Sequence, residues 1–182
     1  MKTGHLKKIL KLALVINSCI IFCSLSPLFA SELTVLHNFV GGSNDGSAPL
    51  NSLILDSGVL YGMTSTGGDT GVGSIFKINS DGTGFSLLHE FTGTNGSTPY
   101  GNLTLSSGTL YGMTREGGDN NVGVIFSLTT AGTDFTIMHD FEDTTGDGAY
   151  PRGTLIPYSG KLYGITDQGG GNNCGIIFSI DP

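Results

Sequence analysis

Apolar and polar positions alternate in short runs from residue 33 onward, and the same runs come back. In "FSLLHEF" (85–91) Phe85, Leu87, His89 and Phe91 fall on one face at a period of two, and "LTVLHNF" (33–39) and "FTIMHDF" (135–141) repeat the pattern. That period predicts a β-strand. A second short strand is predicted at "NLTL" (102–105) and its equivalents. A third, "TLYGMT" (109–114), follows Ser-Gly pairs at Ser57-Gly58, Ser107-Gly108 and Ser159-Gly160. Glycine there supplies the positive φ of a tight hairpin. The fourth, "VGVIFSL" (122–128), puts Val122, Val124, Phe126 and Leu128 on one face. No stretch after residue 30 has a helical period, so the expected fold is all-β.

The runs belong to a repeat. "LYGMTSTGGDTGVGSIF" (60–76) returns as "LYGMTREGGDNNVGVIF" (110–126) and as "LYGITDQGGGNNCGIIF" (162–178). His37, His89 and His139 stand at matching places before each phrase, as do Gly46 and Pro49, Gly96 and Pro99, and Gly148 and Pro151. A fixed period of about fifty residues is the mark of a repeat architecture. The units run approximately over 33–84, 85–134 and 135–182, each reading as four short strands within one β-repeat domain, 31–182.

The first thirty residues read differently. Lys2, Lys7, Lys8 and Lys11 precede an apolar run from Leu12 to Phe29 that closes on Ala30 before Ser31 and Glu32. Basic start, apolar middle and small residue at the cut describe a signal peptide over 1–30. An uncleaved anchor is the alternative, because about eighteen apolar residues just reach across a bilayer. Pro27 and the early first strand favour cleavage, which leaves no stable membrane span. The expected location is secreted or extracellular, with the periplasm as the other compartment.

Cleavage also sharpens the charge balance. The formal net charge of the whole chain is -7, and all four leader lysines leave. Lys77, Arg115, Arg152 and Lys161 then face 15 acidic residues. That balance argues against nucleic acid and anionic membrane surfaces as partners, since both require basic patches. Cys19 and Cys23 go with the leader, so Cys174 stands alone and no internal disulfide is available. It occupies the place of Val72 and Val122, where a small buried apolar residue is expected.

The pattern L-Y-G-x-T-x-x-G-G-x-x-x-x-G-x-I-F, with Tyr61-Gly62, Gly67-Gly68, Gly73 and Phe76 in register, resembles the tandem extracellular repeat called GloVer, found in secreted bacterial proteins. The resemblance covers nearly all of 33–182. It implies a blade-like unit of a β-propeller and an extracellular location, with no known activity, and members commonly carry more repeats than the three here. The phase of the repeats suggests how such units would close. The first strand, 33–39, is spare at one end, and the last sheet lacks a following strand at the other. Propellers have about four to eight blades, so three cannot make a ring alone. The expectation is a six-bladed ring in a homodimer, each strand 33–39 completing the partner's last blade. A β-trefoil, with three units of four strands, is the alternative closure, and an open arc is the third.

Candidate chemistry follows the repeat. His37, His89 and His139 invite a metal reading, but one per unit on an apolar strand face fits a histidine hydrogen-bonded within its unit. Tyr61, Tyr111 and Tyr163 read as packing residues, as do Phe76, Phe126 and Phe178. The loops before the fourth strand carry Asp69, Thr70, Asp119, Asn120, Asn121, Asn172 and Asn173. In a closed ring they would gather at one end, where such side chains could bond sugar hydroxyls or donate oxygens to Ca²⁺. Ordinary turn chemistry competes with this reading, because Asn, Asp and Gly are what turns use. The stretch "EDTTGDGAYP" with Glu142, Asp143 and Asp147 is the most acidic and is a calcium candidate, but it lacks the spacing of an EF-hand loop, so calcium is unsupported and no cofactor is expected.

Catalysis would need residues that break the symmetry. Arg115, Glu116, Arg152, Lys161 and Asp167 do so, and Glu116 with Asp167 would be the carboxylate pair of a polysaccharide hydrolase or lyase if their loops converged. No nucleophile elbow, paired metal histidines or phosphate loop supports that. The sequence-based expectation is a secreted, non-enzymatic module that binds extracellular or surface glycans. A structural or protein-interaction module is the alternative.

Overall fold

A computed structural model describes residues 32–182, and the signal peptide read at 1–30, with the anchor alternative, lies outside the described residues. The chain divides into a segment ending at Thr34 and a compact body, Val35–Pro182. The body is all-β. Its strands are β1 (Gly46–Ser47), β2 (Ile54–Asp56), β3 (Val59–Thr64), β4 (Thr66–Gly67), β5 (Ser74–Asn79), β6 (Ser86–Glu90), β7 (Thr104–Ser106), β8 (Thr109–Thr114), β9 (Val124–Thr129), β10 (Thr136–Asp140), β11 (Gly148–Tyr158), β12 (Lys161–Gly169) and β13 (Ile177–Ile180).

Antiparallel pairing gathers them into a first sheet, β2-β3-β5-β6, a second, β7-β8-β9-β10, and a third, β11-β12-β13, with β1 and β4 as a two-stranded ladder beside the first. None of these sheets closes on itself. Each four-stranded sheet takes three strands from one repeat and its outer strand from the next, so β6 and β10 carry His89 and His139 of the following units. Among the described residues the third sheet ends at β13 with no outer strand.

The hairpins obey the Ser-Gly signal. Ser57, Ser107 and Ser159 have φ of 49°, 51° and 49°, and Gly58, Gly108 and Gly160 have φ of 85°, 80° and 79°. Both central residues in the left-handed region is the two-residue turn whose twist suits flanking antiparallel strands.

The Tyr-Gly of the repeated phrase has a steric cause. Gly62 pairs with Phe76, Gly112 with Phe126 and Gly164 with Phe178 across adjacent strands. A β-carbon on these glycines would stand 2.6, 2.4 and 2.4 Å from the tip of the opposite phenylalanine ring. Each ring lies over its glycine, and no larger residue fits beneath it.

Two expectations about the first strand of the repeat change. In 85–91 strict alternation puts Phe85 and His89 on one face, but the ladder has a β-bulge: Ile75 pairs with His89 and Phe76 with Leu87, leaving Leu88 extra. The same shift separates Ile137 from His139. One extra residue inverts the alternation. Phe85 therefore packs on Phe76 and Phe39, whereas His89 and Phe91 pack on Phe135. The other change concerns 33–39, which has no strand assignment. A strand requires a ladder, and among the described residues no strand pairs with this stretch.

Neighbouring sheets bury the faces they turn to each other. Tyr61, Met63, Ile75 and Phe91 from the first sheet meet Leu103, Leu110, Phe126 and Leu128 of the second. Met113, Val122, Ile125 and Phe141 then meet Ala149, Leu155 and Leu162 of the third. The repeat supplies the same apolar set at both joints.

The glycine constraint is testable by chemical denaturation. Gly112→Ala should destabilise the fold by about 2 kcal/mol, the order of an overpacked core. Gly146→Ala, where an added β-carbon meets nothing within 4 Å, should leave the unfolding midpoint in place.

Candidate functional site

His89 and His139 stand at the two joints between sheets, and His37 stands where the stretch before Gly41 lies on the first sheet. The His37 ring stacks on Phe85 with centroids 3.7 Å apart and an interplanar angle of 7°, and His89 stacks on Phe135 at 3.7 Å and 3°. Phe39, Phe91 and Phe141 contact Phe76, Phe126 and Phe178 edge-on at 5.2, 5.4 and 5.6 Å. His139 makes the edge contact with Phe141 at 4.8 Å that His37 makes with Phe39, and an open slot beside it is lined by Asp147, Phe178 and Ile180.

Each histidine is held by a side chain to which the sequence reading gave no such role. His37 Nε2 lies 3.1 Å from Asp45 Oδ1, His139 Nε2 lies 3.0 Å from both oxygens of Asp147, and His89 Nε2 lies 3.2 Å from Asn95 Nδ2. Asp45 also accepts from the Val40 N–H at 2.7 Å, Asn95 from the Thr92 N–H at 2.8 Å, and Asp147 from the Glu142 N–H at 2.9 Å. The signal was an Asp or Asn directly before Gly46, Gly96 and Gly148. These carboxylates and the amide thus anchor a loop to its histidine, which is where Asp147 of the acidic stretch is engaged.

The glycine-pair loops occupy equivalent places on the three sheets, and Asp69, Thr70, Asp119, Asn120, Asn121, Asn172 and Asn173 are all exposed. Most of their side chains serve the backbone. Thr70 Oγ1 donates to the Phe91 carbonyl at 2.5 Å, and Asn120 Nδ2 to the Phe141 carbonyl at 3.2 Å. Asn121 Oδ1 accepts from the Gly117 N–H at 3.1 Å, and Asn173 Oδ1 from the Gly169 N–H at 2.8 Å. Asp69 and Asp119 are tied through their own N–H groups, to Glu90 at 2.8 Å and to Asp140 at 2.9 Å. Among the described residues no hydrogen bond joins one of these loops to another.

The charges that break the symmetry are spent in ion pairs: Arg115 with Glu116, Arg152 with Asp167, and Lys161 with Asp181 at 2.6 Å. Arg115 also lies 5.1 Å above the Tyr150 ring. Glu116 and Asp167 each face an arginine. Among the described residues no group of three or more His, Cys, Asp or Glu side chains could hold a metal ion, and no helix is long and apolar enough to cross a membrane. Cys174 is exposed, against the buried position expected for it. Its counterparts Val72 and Val122 are covered by the next unit, whose Thr98 and Tyr150 N–H groups bond to their carbonyls; among the described residues no further unit covers the third sheet.

Tyr61, Phe76 and Phe126 are buried, as packing residues should be. Tyr111 and Phe178 are half-buried at the second joint. Tyr163 is half-buried on the outer face of the third sheet, beside Ile156, Ile165 and Ile177.

Small antiparallel sheets stacked face to face, with an aromatic joint between successive sheets, define a tandem β-repeat protein. The chain belongs to the Gloeobacter/Verrucomicrobia repeat family, whose model matches residues 21–182. A search of curated proteins finds no match.

Burial at the joint lowers the His89 pKa from 6.5 to about 4. For Asp45 burial acts upward, but the Val40 N–H, the His37 ring and the Gly46 N–H outweigh it and hold the carboxyl below 3.8. A folded-state histidine pKa below the unfolded value means that the unfolded chain binds the extra proton. Stability from His89 is therefore complete above pH 6.5, falls as pH drops toward 4, and falls no further below that. Asn95→Asp, which gives His89 the carboxylate partner that His37 and His139 have, should raise that pKa and flatten the decline. A proton NMR titration of the folded protein checks both; a wild-type His89 resonance titrating near 6.5 would contradict the burial argument.

Proposed function

We propose that the stacked sheets are propeller blades and that the protein is a secreted, non-enzymatic binding module for extracellular or surface glycans. The strands of each sheet follow one another as a meander and none of the sheets closes, which favours blades over the barrel of a trefoil. Two copies of three sheets reach the six of a common propeller ring.

The observation that carries the binding reading is the pair of exposed carboxylates, Asp69 and Asp119, at equivalent places on successive sheets. Each stands on a loop fixed by its own N–H to a carboxylate of the outer strand, so it is presented without the entropy cost of ordering a mobile loop. Exposed carboxylates bond sugar hydroxyls well. Glu116 and Asp167, the carboxylates a hydrolase would use, are each neutralised by an arginine, which supports binding without cleavage. A protein-interaction module is the second reading, favoured by the apolar outer face of the third sheet, where Ile177 is 84% exposed.

Isothermal titration of the protein with a panel of bacterial and plant polysaccharides tests this. Saturable binding is expected, weakened about tenfold or more in the Asp69→Asn/Asp119→Asn double variant, with no release of reducing sugar. Absence of binding across the panel would leave the protein-interaction reading standing, and reducing-sugar release would refute the non-enzymatic one.

A further inference from the structure

We propose that a second copy of this chain docks on the free edge of β13, its stretch 35–39 adding as the fourth strand of the third sheet. The inference rests on the propeller reading and names its partner and its joint. The same contact made twice about a two-fold axis closes a ring of six sheets.

The joint can be read off the two joints inside the chain. In the first sheet Ser74, Ile75 and Phe76 pair with Glu90, His89 and Leu87 of the outer strand, and in the second Val124, Ile125 and Phe126 pair with Asp140, His139 and Ile137. The repeat carries this register to the third sheet as Ile176 with Asn38, Ile177 with His37 and Phe178 with Val35.

Main-chain groups agree with that register. The Phe91 N–H bonds to the Gly73 carbonyl at 3.0 Å and the Phe141 N–H to the Gly123 carbonyl at 3.1 Å; Phe39 and Gly175 are the corresponding pair. The Thr98 N–H bonds to the Val72 carbonyl and the Tyr150 N–H to the Val122 carbonyl, at 2.8 and 2.7 Å. Ala48 and Cys174 hold those places at the two ends of the stack. Ala48 already adopts φ of 53°, against 53° at Thr98 and 54° at Tyr150.

Side chains agree as well. Glu90 and Asp140 accept from the N–H groups of Asp69 and Asp119, and Asn38 offers an amide oxygen to the Gly171 N–H at the equivalent place. Thr70 and Asn120 donate to the Phe91 and Phe141 carbonyls, and Asn172 stands ready to donate to the Phe39 carbonyl.

The apolar faces fit in the same sense. Ile165 and Ile177 are 52% and 84% exposed where Met63, Met113, Ile75 and Ile125 are at most 2% exposed. On the opposite end of the stack Leu53 is 51% exposed where Leu103 and Leu155 are 3% and 1%. A slot of ≈ 210 Å³ runs between His139 and β13, where the other two sheets hold Phe85 and Phe135 against Phe76 and Phe126.

The adding stretch is already shaped. It lies over the first sheet as β6 lies over the second: the Leu36 and Leu88 carbonyl oxygens stand 3.3 and 3.2 Å from the β-carbon positions of Gly82 and Gly132. Within one chain it stays there, while among the described residues β13 pairs with β12 alone. Donor strand and free edge thus sit at opposite ends of one stack, and a second copy brings them together.

Light scattering of the full chain recovered after export from an expression host gives the first test. A mass twice that of the chain is expected, and Ile177→Asp, at a position exposed in the single chain, should return it to the monomer with its β circular dichroism intact. The second test is register: in a Cys174→Ser background, Asn38→Cys/Ile176→Cys should oxidise to an inter-chain disulfide, because directly paired strand residues lie within disulfide reach. Asn38→Cys/Ser179→Cys, out of register, should not. A monomeric or polydisperse wild type, a dimer insensitive to Ile177→Asp, or a disulfide within one chain would overturn the proposal. Glycan titration of the same samples separates the two readings: a monomer that binds overturns only the joint, and a dimer that binds nothing overturns only the glycan assignment.

Discussion

The face-to-face packing of one small sheet on the next is the interaction on which everything else depends. A sheet of only three or four strands is marginal by itself, and its apolar side chains can be covered only by a neighbouring sheet. The joint concentrates aromatic rings for this purpose: Phe91 meets Phe126 and Phe135, and His89 stacks on Phe135. Each fully buried phenylalanine contributes roughly 1.5–3 kcal/mol by burial, and each ring pair about 0.5–1.5 kcal/mol beyond that. Such joints make the sheets stable only in company, as in other repeat proteins where neighbour interfaces carry the stability.

The glycines follow from the same constraint. A ring that must lie flat within a thin joint needs a residue without a β-carbon beneath it, and Gly62, Gly112 and Gly164 provide one. The bulge in β6 and β10 follows as well. It turns His89 and His139 toward the next sheet while Phe85 and Phe135 face the previous one, so one strand serves two joints. An Asp or Asn then fixes each histidine and, through a main-chain N–H, the loop beyond it.

The loops that looked most like binding residues divide by this logic. Thr70 and Asn120 stitch the outer strand to its sheet, and Asn121 and Asn173 close their own turns. Asp69 and Asp119 add charge to exposed loops whose shape is set by their backbone. Any recognition is therefore built on rigid presentation, with specificity coming from which side chains the turns do not consume.

The all-β character, the period of about fifty residues and the hairpins were determined by the sequence alone, because alternation, Ser-Gly pairs and repetition are local signals that survive without tertiary contacts. The family resemblance was legible for the same reason, in glycines that only one backbone geometry explains. The facing of the first strand was not, since a bulge is created by pairing and leaves the alternation of 85–91 looking regular. Nor was the status of 33–39 or of Cys174: "LTVLHNF" reads like its two copies, and Cys174 like Val72 and Val122, yet a strand exists only against an edge and a side chain is buried only if something covers it. Tertiary structure decided both, because ladders and burial depend on neighbours far away in the chain.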